Sequence, residues 1–454
     1  MKFKSLQLLL TGIFLISLSI VSNAQNPIIR DQFTADPSGC VFNGKMYVFP
    51  SHDIVAREGQ GRPGWFCMED YHVFSSENLT DWTDHGVIVH QTKIPWVDST
   101  TYSMWAPDCI ERNGKYYFYF PAQKKSTDPQ VRRGFGIGVA IADRPEGPYV
   151  IQEKPIENVH GIDPNIFIDH DGQAYLYWSM GNLFVAKLKE NMLEIEGEPL
   201  VIANLPEKGL KEGPYVIERN GIYYLTFPHV ENHIERLEYA VGDHPMGPFT
   251  MKGVIMDESS MNCWTNHHSL VQFQDQWYLF YHQNAYSPKF DKNRSVCLDS
   301  LFFNADGSIQ IVLPTHRGVG LSKADSEIQI DRFSSISNQG VKVEFKDTLS
   351  PFEGWKTVFT GNDAWIGYNS VDFEKNMKSV LIRAKASAGG NIEIRLDRPD
   401  GPLVAEIKLP EGSEWSTIHN KIAKIPAGVH HMYVCSKDQQ TLEIDWIQFS
   451  KNKK

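Results

Sequence analysis

Three carboxylic acids occupy equivalent positions in a repeated sequence pattern. Asp36 opens DPSGCVFNGKMYVFPSHD, Asp163 opens DPNIFIDHDGQAYLYWS, and Glu212 opens EGPYVIERNGIYYLTFP. Hydrolysis of a glycosidic bond needs one carboxylic acid to protonate the leaving oxygen. It also needs a carboxylate on the opposite side of the sugar that activates water or attacks directly. A third acid nearby raises a carboxyl pKa and keeps that group protonated near neutrality. The three residues therefore supply the groups for acid–base hydrolysis.

The repeat has five copies, whose first residues are Asp36, Ala106, Asp163, Glu212 and His267. Each copy contains an apolar stretch, a turn with Asn, Asp or Gly, and an aromatic-rich run, which together predict a β-hairpin. Hairpins that recur roughly every 50 to 70 residues are typical of propeller blades. Equivalent strands of a propeller surround one central channel. We therefore expect the five first residues to meet in one funnel.

Other acids near the hairpins are given no catalytic role. An aspartate before proline often only caps a turn, so a single Asp-Pro predicts little, and the prediction depends on the repeated position. Asp108 falls two positions past the first residue of its copy. Asp53, Glu69 and Asp70 are predicted to lie in loops, where solvated charge is the usual state.

The rest of the chain predicts an all-β protein with two domains. Short strand-length runs are separated by Gly, Pro, Asn and Asp, and helical periodicity is scarce. We predict a five-bladed β-propeller over 25–321 and a linker, rich in serine and charge, over 322–340. Alternating apolar and polar stretches over 341–450 predict a β-sandwich (jelly-roll) domain.

The first 24 residues have the layout of a secretory signal peptide. Lys2 and Lys4 precede an apolar core over 8–21, and small residues end at Ala24. The apolar part is too short to favour a membrane span. We expect a secreted or periplasmic protein after cleavage near Ala24.

Composition restricts the partners. The formal net charge is -11 and no basic cluster occurs, which argues against nucleic acid as a partner. A neutral polysaccharide or oligosaccharide fits better, and we expect a monomer. The six cysteines are dispersed without metal-ligand spacing, which favours buried free thiols, with one or two disulfides as the alternative.

The motifs around the three acids resemble glycoside hydrolase family 43. The resemblance covers roughly 26–321 and is carried by MWAPD at 104–108, GIDPN at 161–165, KEGPY at 211–215, and LFFNADGSI with LPT over 301–315. It implies an inverting hydrolase with Asp36 as general base, Asp163 as pKa modulator and Glu212 as general acid. Inversion predicts roughly 6.5–9.5 Å between the base and acid carboxyls. No cofactor is needed for this chemistry.

Further site residues are predicted around this trio. The resemblance implies that Arg294 reaches into the sugar subsite, where its fork donates to hydroxyls, with a surface salt bridge as the alternative. It also places His267 at the propeller axis, where an imidazole helps to hold calcium, mostly through water. Calcium prefers oxygen donors, so His268 as the ligand and a hydrogen-bonded core histidine are alternatives. Trp105 and Phe227 are predicted to stack on a sugar or to pack the funnel.

The second domain resembles a family 6 carbohydrate-binding module. AWIGYNSVDF at 364–373, GGNIEIRLDRPDGPLV at 389–404 and IDWIQF at 444–449 carry the resemblance, whereas the acidic opening motif is degenerate in VKVEFKD. Tyr368 and Trp415 are the predicted sugar-binding residues. The alternative is that the module only braces the propeller.

The resemblance implies removal of L-arabinofuranosyl or D-xylosyl residues from plant hemicellulose, with α-L-arabinofuranosidase favoured. A β-xylosidase, arabinanase or galactosidase of the same family is the alternative. A fructan hydrolase on a related propeller would carry Asn-Asp-Pro-Asn-Gly and Glu-Cys motifs, where this chain has TADPSG and KEGPY. A non-catalytic carbohydrate-binding protein would be marked by loss of an acid, and all three are present.

Overall fold

The computed structural model describes residues 26–126, 134–258, 264–284, 286–287, 290–347 and 355–452. The predicted signal peptide lies outside the described residues. Within them, regular structure is β except for one short 3-10 helix at Gln91–Lys93, which confirms the predicted fold class. None of the described helical structure is long and apolar enough to span a membrane.

The first domain consists of five antiparallel sheets, taken in chain order. The first contains β1 (Phe33–Phe42), β2 (Lys45–Asp53), β3 (Asp70–Ser76) and β4 (Thr83–His90). The second contains β5 (Asp108–Arg112), β6 (Lys115–Gln123), β7 (Phe135–Ala142) and β8 (Val150–Ile151). The third contains β9 (Ile162–Ile168), β10 (Ala174–Ser179), β11 (Leu183–Leu188) and β12 (Ile195–Val201). The fourth contains β13 (Tyr215–Arg219), β14 (Ile222–Val230), β15 (Glu235–Gly242) and β16 (Thr250–Met256). The fifth contains β17 (Ser269–Phe273), β18 (Gln276–Gln283) and β19 (Ser295–Leu301).

The five sequence repeats form the first two strands of the five sheets. In the first hairpin, the β1–β2 register runs to Phe42 opposite Lys45. Its turn residues Asn43 and Gly44 have φ values of 51° and 75°. Asn-Gly with two positive φ values is the preferred two-residue hairpin turn, because its twist matches that of the strands. The second and fourth hairpins turn in the same way, so this local signal fixes the register that orients the site residues.

Neighbouring sheets pack through the side chains on their faces. Phe49 of the first sheet lies 5.8 Å from Phe118 of the second, measured between ring centroids. The first and fifth sheets share a buried core that includes Val48 and Phe280. Backbone hydrogen bonds also join the segment before β1 to the fifth sheet, with Ile28 N donating to the Val296 carbonyl at 2.9 Å. The start of the domain therefore lies against its last sheet.

The second domain is a β-sandwich of two six-stranded sheets. One contains β20 (Ser322–Lys323), β22 (Ser335–Ile336), β25 (Trp365–Phe373), β27 (Gly390–Leu396), β28 (Leu403–Leu409) and β30 (Gly428–Ser436). The other contains β21 (Ile328–Gln329), β23 (Val341–Phe345), β24 (Trp355–Phe359), β26 (Ser379–Ala386), β29 (Gly412–Lys421) and β31 (Leu442–Ser450). Apolar residues from both sheets form one core between them.

The segment predicted as a linker belongs to the sandwich. Its short strands β20, β21 and β22 pair with β25 and β31 of the second domain. Ile328 and Ile330 are buried in the sandwich core. The serine and charge content of 322–340 suggested a solvated connection, but its few apolar side chains are sufficient to anchor it.

The described cysteines are unpaired, as favoured by their dispersed positions. Cys40, Cys67, Cys109, Cys297 and Cys435 are free thiols, and all except the half-buried Cys40 are buried. Cys263 lies outside the described residues.

Candidate active site

One pocket contains the first residue of every sequence repeat. It has a cavity volume of about 180 Å³. Its lining includes the five repeat starts and an aromatic wall: Asp36, Ala106, Asp163, Glu212, His267, Trp65, Phe66, Trp105 and Trp264. Asp36 and Asp163 lie on the first and third sheets, and Glu212 lies just before the fourth. The structure therefore brings together the residues on which the predicted chemistry depends.

Each of the two Asp-Pro sequences forms an irregularity in the first strand of its sheet. The strand registers shift between Ala35 and Ser38 and between Tyr177 and Ser179. Asp36 and Asp163 have φ values of 49° and 56°, in the left-handed region that aspartate tolerates better than most residues. A bulge of this kind redirects a side chain out of the strand alternation.

A serine at the end of the second strand holds each aspartate. Ser51 Oγ donates to Asp36 Oδ2 at 2.6 Å, and Ser179 Oγ donates to Asp163 Oδ2 at 2.7 Å. The two sheets thus use the same local arrangement to orient their acids. What distinguishes the two acids is the set of charges around them.

Asp36 is held by an arginine. Arg294 Nη1 and Nη2 donate to its two carboxylate oxygens at 2.8 and 3.1 Å. Burial alone would raise the pKa of Asp36, but the Arg294 guanidinium lowers it to about 2. The carboxylate is therefore ionised at neutral pH, as a base must be.

Arg294 also binds Asp53, a residue for which the sequence predicted only solvated charge. Arg294 Nε and Nη2 donate to the Asp53 carboxylate at 2.9 and 3.0 Å, and both side chains are buried. Four of its hydrogen bonds therefore go to carboxylates. Arg294 lines the pocket as predicted, and its fork fixes the orientation and charge of Asp36. Donation by Arg294 to sugar hydroxyls stays a prediction.

His282 is hydrogen-bonded to the backbone of Asp36, and its imidazole ring is neutral. Its Nδ1 accepts the Asp36 backbone N–H at 3.2 Å, and its Nε2 lies 3.0 Å from the Thr265 carbonyl. The proton therefore belongs on Nε2, because a carbonyl can only accept. Burial and the charge of Arg294 lower the pKa of His282 to about 3, which keeps the ring neutral.

Asp163 and Glu212 are the two catalytic acids whose pKa values are raised. Burial and the nearby Glu212 raise the pKa of Asp163 to about 7. Burial and then the charge of Asp36 raise the pKa of Glu212. Ser179 and the Gly213 N–H, the latter at 3.0 Å, both donate to Asp163 Oδ2. Because these donors favour the ionised Asp163, the proton retained by the pair belongs on Glu212.

A fourth acid, Glu235, lies behind Glu212 and was missed by the sequence reasoning. The side chains of Glu212 and Glu235 are hydrogen-bonded, and Glu235 is fully buried at the start of β15. A hydrogen bond between two carboxyl groups requires one proton, since an ionised carboxylate only accepts. The backbone N–H of Asn266, in the pocket wall, donates to Glu235 Oε2. Glu235 thereby connects the pocket wall to Glu212.

The sequence matches the family described as Glycosyl hydrolases family 43 over residues 24–309. The chain belongs to this family. Over 334–451 it also matches Carbohydrate binding module (family 6). This family 43 chain is therefore a glycoside hydrolase followed by a β-sandwich module, as its motifs predicted.

Relatives extend the comparison. Xylosidase/arabinosidase 43A of Humicola insolens is 36% identical over 62% of this chain and 98% of that protein. A β-xylosidase/α-arabinofuranosidase from a compost metagenome, solved with xylotriose in a calcium-free form, is 33% identical with a TM-score of 0.58, covering 64% of this chain and 98% of that one. An arabinoxylan arabinofuranohydrolase from Bacillus subtilis is 26% identical with a TM-score of 0.53, covering 95% and 98%. The last likeness spans both domains.

One predicted contact of the family 43 site is wrong. Phe227 is fully buried between the third and fourth sheets, in a core with Tyr177 and Phe249, and does not line the pocket. Trp105 does line it, with its ring 4.6 Å from Phe135. The strand carrying Phe227 presents alternate side chains to its two faces, and this residue falls on the face that packs between sheets.

In the module, Tyr368 is also misplaced by the sequence reasoning. Its side chain is fully buried in the sandwich core, and its hydroxyl donates to the Ile330 carbonyl, so it does not face a sugar. Trp415 is half-buried on β29, and its role in sugar binding stays a prediction.

Two other acids near the hairpins of the first domain, Asp70 and Asp108, are buried and not solvated. Asp108 joins sheets by accepting from Ser38 and from the Ile166 N–H.

Proposed function

We propose that this family 43 enzyme removes L-arabinofuranosyl or D-xylosyl residues from plant hemicellulose of the arabinoxylan or arabinan type, with inversion at the anomeric carbon. The relatives named above as xylosidase/arabinosidase and arabinoxylan arabinofuranohydrolase support this substrate class. The small pocket with aromatic walls supports action on a single terminal sugar. The α-L-arabinofuranosidase activity is favoured over β-xylosidase because the likeness to an arabinofuranohydrolase extends over both domains.

In the proposed mechanism, Asp36 takes a proton from the attacking water while Glu212 gives its proton to the leaving oxygen. Asp36 is prepared for this step by Arg294, which keeps it ionised. Glu212 is prepared by burial and by neighbouring negative charge, which favour its protonated form. The negative charge of Asp163 acts on Glu212. Asp163 also accepts the N–H of Gly213, the residue that follows Glu212.

The observation that carries the proposal is the opposite electrostatic state of two acids in one pocket. The pKa of Asp36 is lowered to about 2, whereas that of Glu212 is raised. An inverting hydrolase needs this division between base and acid. A carbohydrate-binding protein has no need for it, because binding alone does not require a protonated carboxyl group.

The test compares substrates with different leaving groups. Nitrophenyl α-L-arabinofuranoside and β-D-xyloside have good leaving groups that need little protonation, whereas arabinoxylan has a poor one. Glu212→Gln should keep much of the activity on the nitrophenyl glycosides and lose it on arabinoxylan by about 10²–10⁴-fold. Asp36→Asn should lose activity on both. Glu218→Gln, on β13 of the same sheet and outside the pocket, is the matched control.

The outcomes separate the candidate functions. Equal inactivity of the wild type and both variants on all these substrates would favour the non-catalytic binding protein. NMR of the released sugar reads the anomer directly, and release of the retained anomer would reject inversion. The ratio of the two nitrophenyl activities decides between arabinofuranosidase and xylosidase.

The calcium ion predicted at His267 stays a prediction. Calcium takes about six to eight oxygen ligands. Among the described residues, His267 belongs to no group of three or more His, Cys, Asp or Glu side chains whose ligand atoms converge. Water would therefore supply most of the ligands of an ion there, and no step of the proposed mechanism depends on it.

We further propose that the enzyme is exported and works as a monomer. The signal-like first 24 residues and the polymeric substrate class support export. Trp415 is the candidate for sugar binding by the module, and Trp415→Ala should then weaken retention on insoluble arabinoxylan without changing activity on nitrophenyl glycosides. Unchanged retention would favour a bracing role for the module.

A further inference from the structure

Three side chains that commonly bind metals meet on the first sheet, outside the pocket. They are His52 at the end of β2 and Asp70 and His72 at the start of β3, and one ligand atom from each lies within 4.8 Å of the others. His52 Nδ1 is 2.7 Å from Asp70 Oδ1, and the two imidazole rings have centroids 5.1 Å apart. The three groups are therefore close enough to share one ion.

The strand backbone sets this arrangement. Asp70 and His72 are two residues apart on β3, so their side chains point to the same face of the sheet. The β2–β3 register pairs Ser51 with Tyr71, which places His52 beside Asp70. Because neighbouring strands fix all three positions, little movement is needed to bring the ligand atoms together.

The donor set suits a divalent transition metal. Two imidazole nitrogens and one carboxylate oxygen, with a fourth position left for water, form a common zinc site. With zinc–ligand distances of about 2.1 Å, tetrahedral ligand atoms lie about 3.4 Å apart. The observed separations, 2.7 Å for the closest contact and 4.8 Å as the upper limit, bracket this value. Calcium is a poor match because it prefers oxygen donors.

A second carboxylate orients one of the histidines. Both oxygens of Asp84 lie 3.0 Å from His72 Nδ1. Asp84 is itself held by Gln32 and by the Gly86 N–H. Histidine ligands usually have such a carboxylate on the other ring nitrogen, which fixes the ring and leaves Nε2 for the metal. The side chains of His52 and His72 are 19% and 15% exposed, so an ion can reach them from solvent.

We propose that His52, Asp70 and His72 bind one zinc-like divalent metal ion at the base of the segment 54–69. This segment carries Trp65 and Phe66 to the pocket, and the Ile54 N–H already bonds the Cys67 carbonyl at 2.9 Å near its base. The ion would join the strand that precedes the segment to the strand that follows it. The site is separate from the catalytic carboxylates and from His267.

The test uses the full mature chain without a histidine tag. After chelator treatment, the protein is titrated with Co²⁺, whose visible absorption reports nitrogen ligation, and the amount bound is checked by equilibrium dialysis and metal analysis. We expect one Co²⁺ per chain, displaced by Zn²⁺, and a melting temperature that rises with added Zn²⁺. His52→Gln and His72→Gln should each weaken Co²⁺ binding at least about tenfold.

His170→Gln is the matched control. His170 is an exposed histidine with a carboxylate partner, Glu218 at 2.9 Å, and it belongs to no cluster of metal-binding side chains among the described residues. The His170→Gln variant should bind Co²⁺ as tightly as the wild type does. Circular dichroism establishes that each variant is folded. Failure of the folded wild type to bind Co²⁺, or binding unaffected by His52→Gln and His72→Gln, would overturn the proposal. Loss of arabinoxylan hydrolysis would not bear on it.

Discussion

The carboxyl groups of Glu212 and Glu235 are joined by a hydrogen bond. Glu235 is fully buried, and it also accepts the backbone N–H of Asn266 from the pocket wall. This hydrogen bond lowers the pKa of Glu212, so a residue outside the pocket lining influences the proton that Glu212 must deliver. Glu235 is a positioning residue whose substitution should change the pH dependence of catalysis.

Glu235→Leu should move the alkaline limb of the kcat/KM profile to higher pH. The hydrogen bond with Glu235 lowers the pKa of Glu212, and leucine cannot make this bond, so the pKa of Glu212 rises. On the alkaline limb, the rate on arabinoxylan should increase about tenfold for each unit of pKa gained. Glu231→Gln, at an exposed site just before the same strand, should leave the profile unchanged. A folded Glu235→Leu enzyme with the wild-type limb would show that Glu235 only packs.

Asp163→Asn should also lower the alkaline limb, for a different reason. Burial and Glu212 raise the pKa of Asp163 to about 7, which reflects repulsion between the two carboxylates. Removing the charge of Asp163 lets Glu212 lose its proton at lower pH. Asp108→Asn removes a buried charge that does not line the pocket, and it controls for loss of stability. A uniform loss of rate with the limb in place would reject the modulator role.

The two serines should act on opposite limbs of the profile. Ser51→Ala removes a donor to Asp36, so the pKa of this base rises and the acid limb moves to higher pH. Ser179→Ala removes a donor to Asp163, so Asp163 holds its proton more readily and repels an ionised Glu212 less. The pKa of Glu212 then falls, and the alkaline limb moves to lower pH. A hydrogen bond to a charged group contributes about 1.5–3 kcal/mol, which corresponds to shifts of about one to two pKa units. Shifts of the same limb in both variants would contradict these assignments.

Gly213→Ala should damage both stability and catalysis. Gly213 has a φ of 52°, and an added Cβ would lie 2.8 Å from His267 Nδ1. Gly221→Ala is the control, because Gly221 has a φ of 78° and nothing within 4 Å of the added atom. The control should cost only the backbone strain, about 1–2 kcal/mol. Urea denaturation should show a larger loss for Gly213→Ala, together with reduced kcat, and equal losses would show that the contact with His267 relaxes freely.

The trio of acids could be predicted because the signal is local and repeated. Asp36, Asp163 and Glu212 each open a hairpin whose turn residues identify it as one copy of a series, so sequence position translates into spatial position. The same reasoning predicted the all-β class and the order of the two domains. The orientation of Phe227 and Tyr368 depends on the alternation of side chains along their own strands. Their distance from a motif in the sequence did not predict which face they occupy.

The support of the site could not be predicted, because it depends on contacts between distant parts of the chain. Arg294 reaches Asp53 across 241 positions, and neither residue lies in a repeat start. Glu235 begins an outer strand, where the repeat pattern gives no special weight to an acid. A possible signal was present for Asp53, since it ends the hairpin that Asp36 begins, but its burial follows only from the pairing of the first and fifth sheets.

The Thr34 N–H bonds the Arg294 carbonyl at 2.9 Å, so the two ends of the catalytic domain meet beside Asp36. Asp36 and Arg294 are 258 positions apart, on the first sheet and just before the last strand of the fifth. A nascent polypeptide therefore has no working base until almost the whole domain has left the ribosome. For the same reason, fraying at this seam on heating would abolish turnover while the other three sheets were still folded, so inactivation would precede the loss of β-structure.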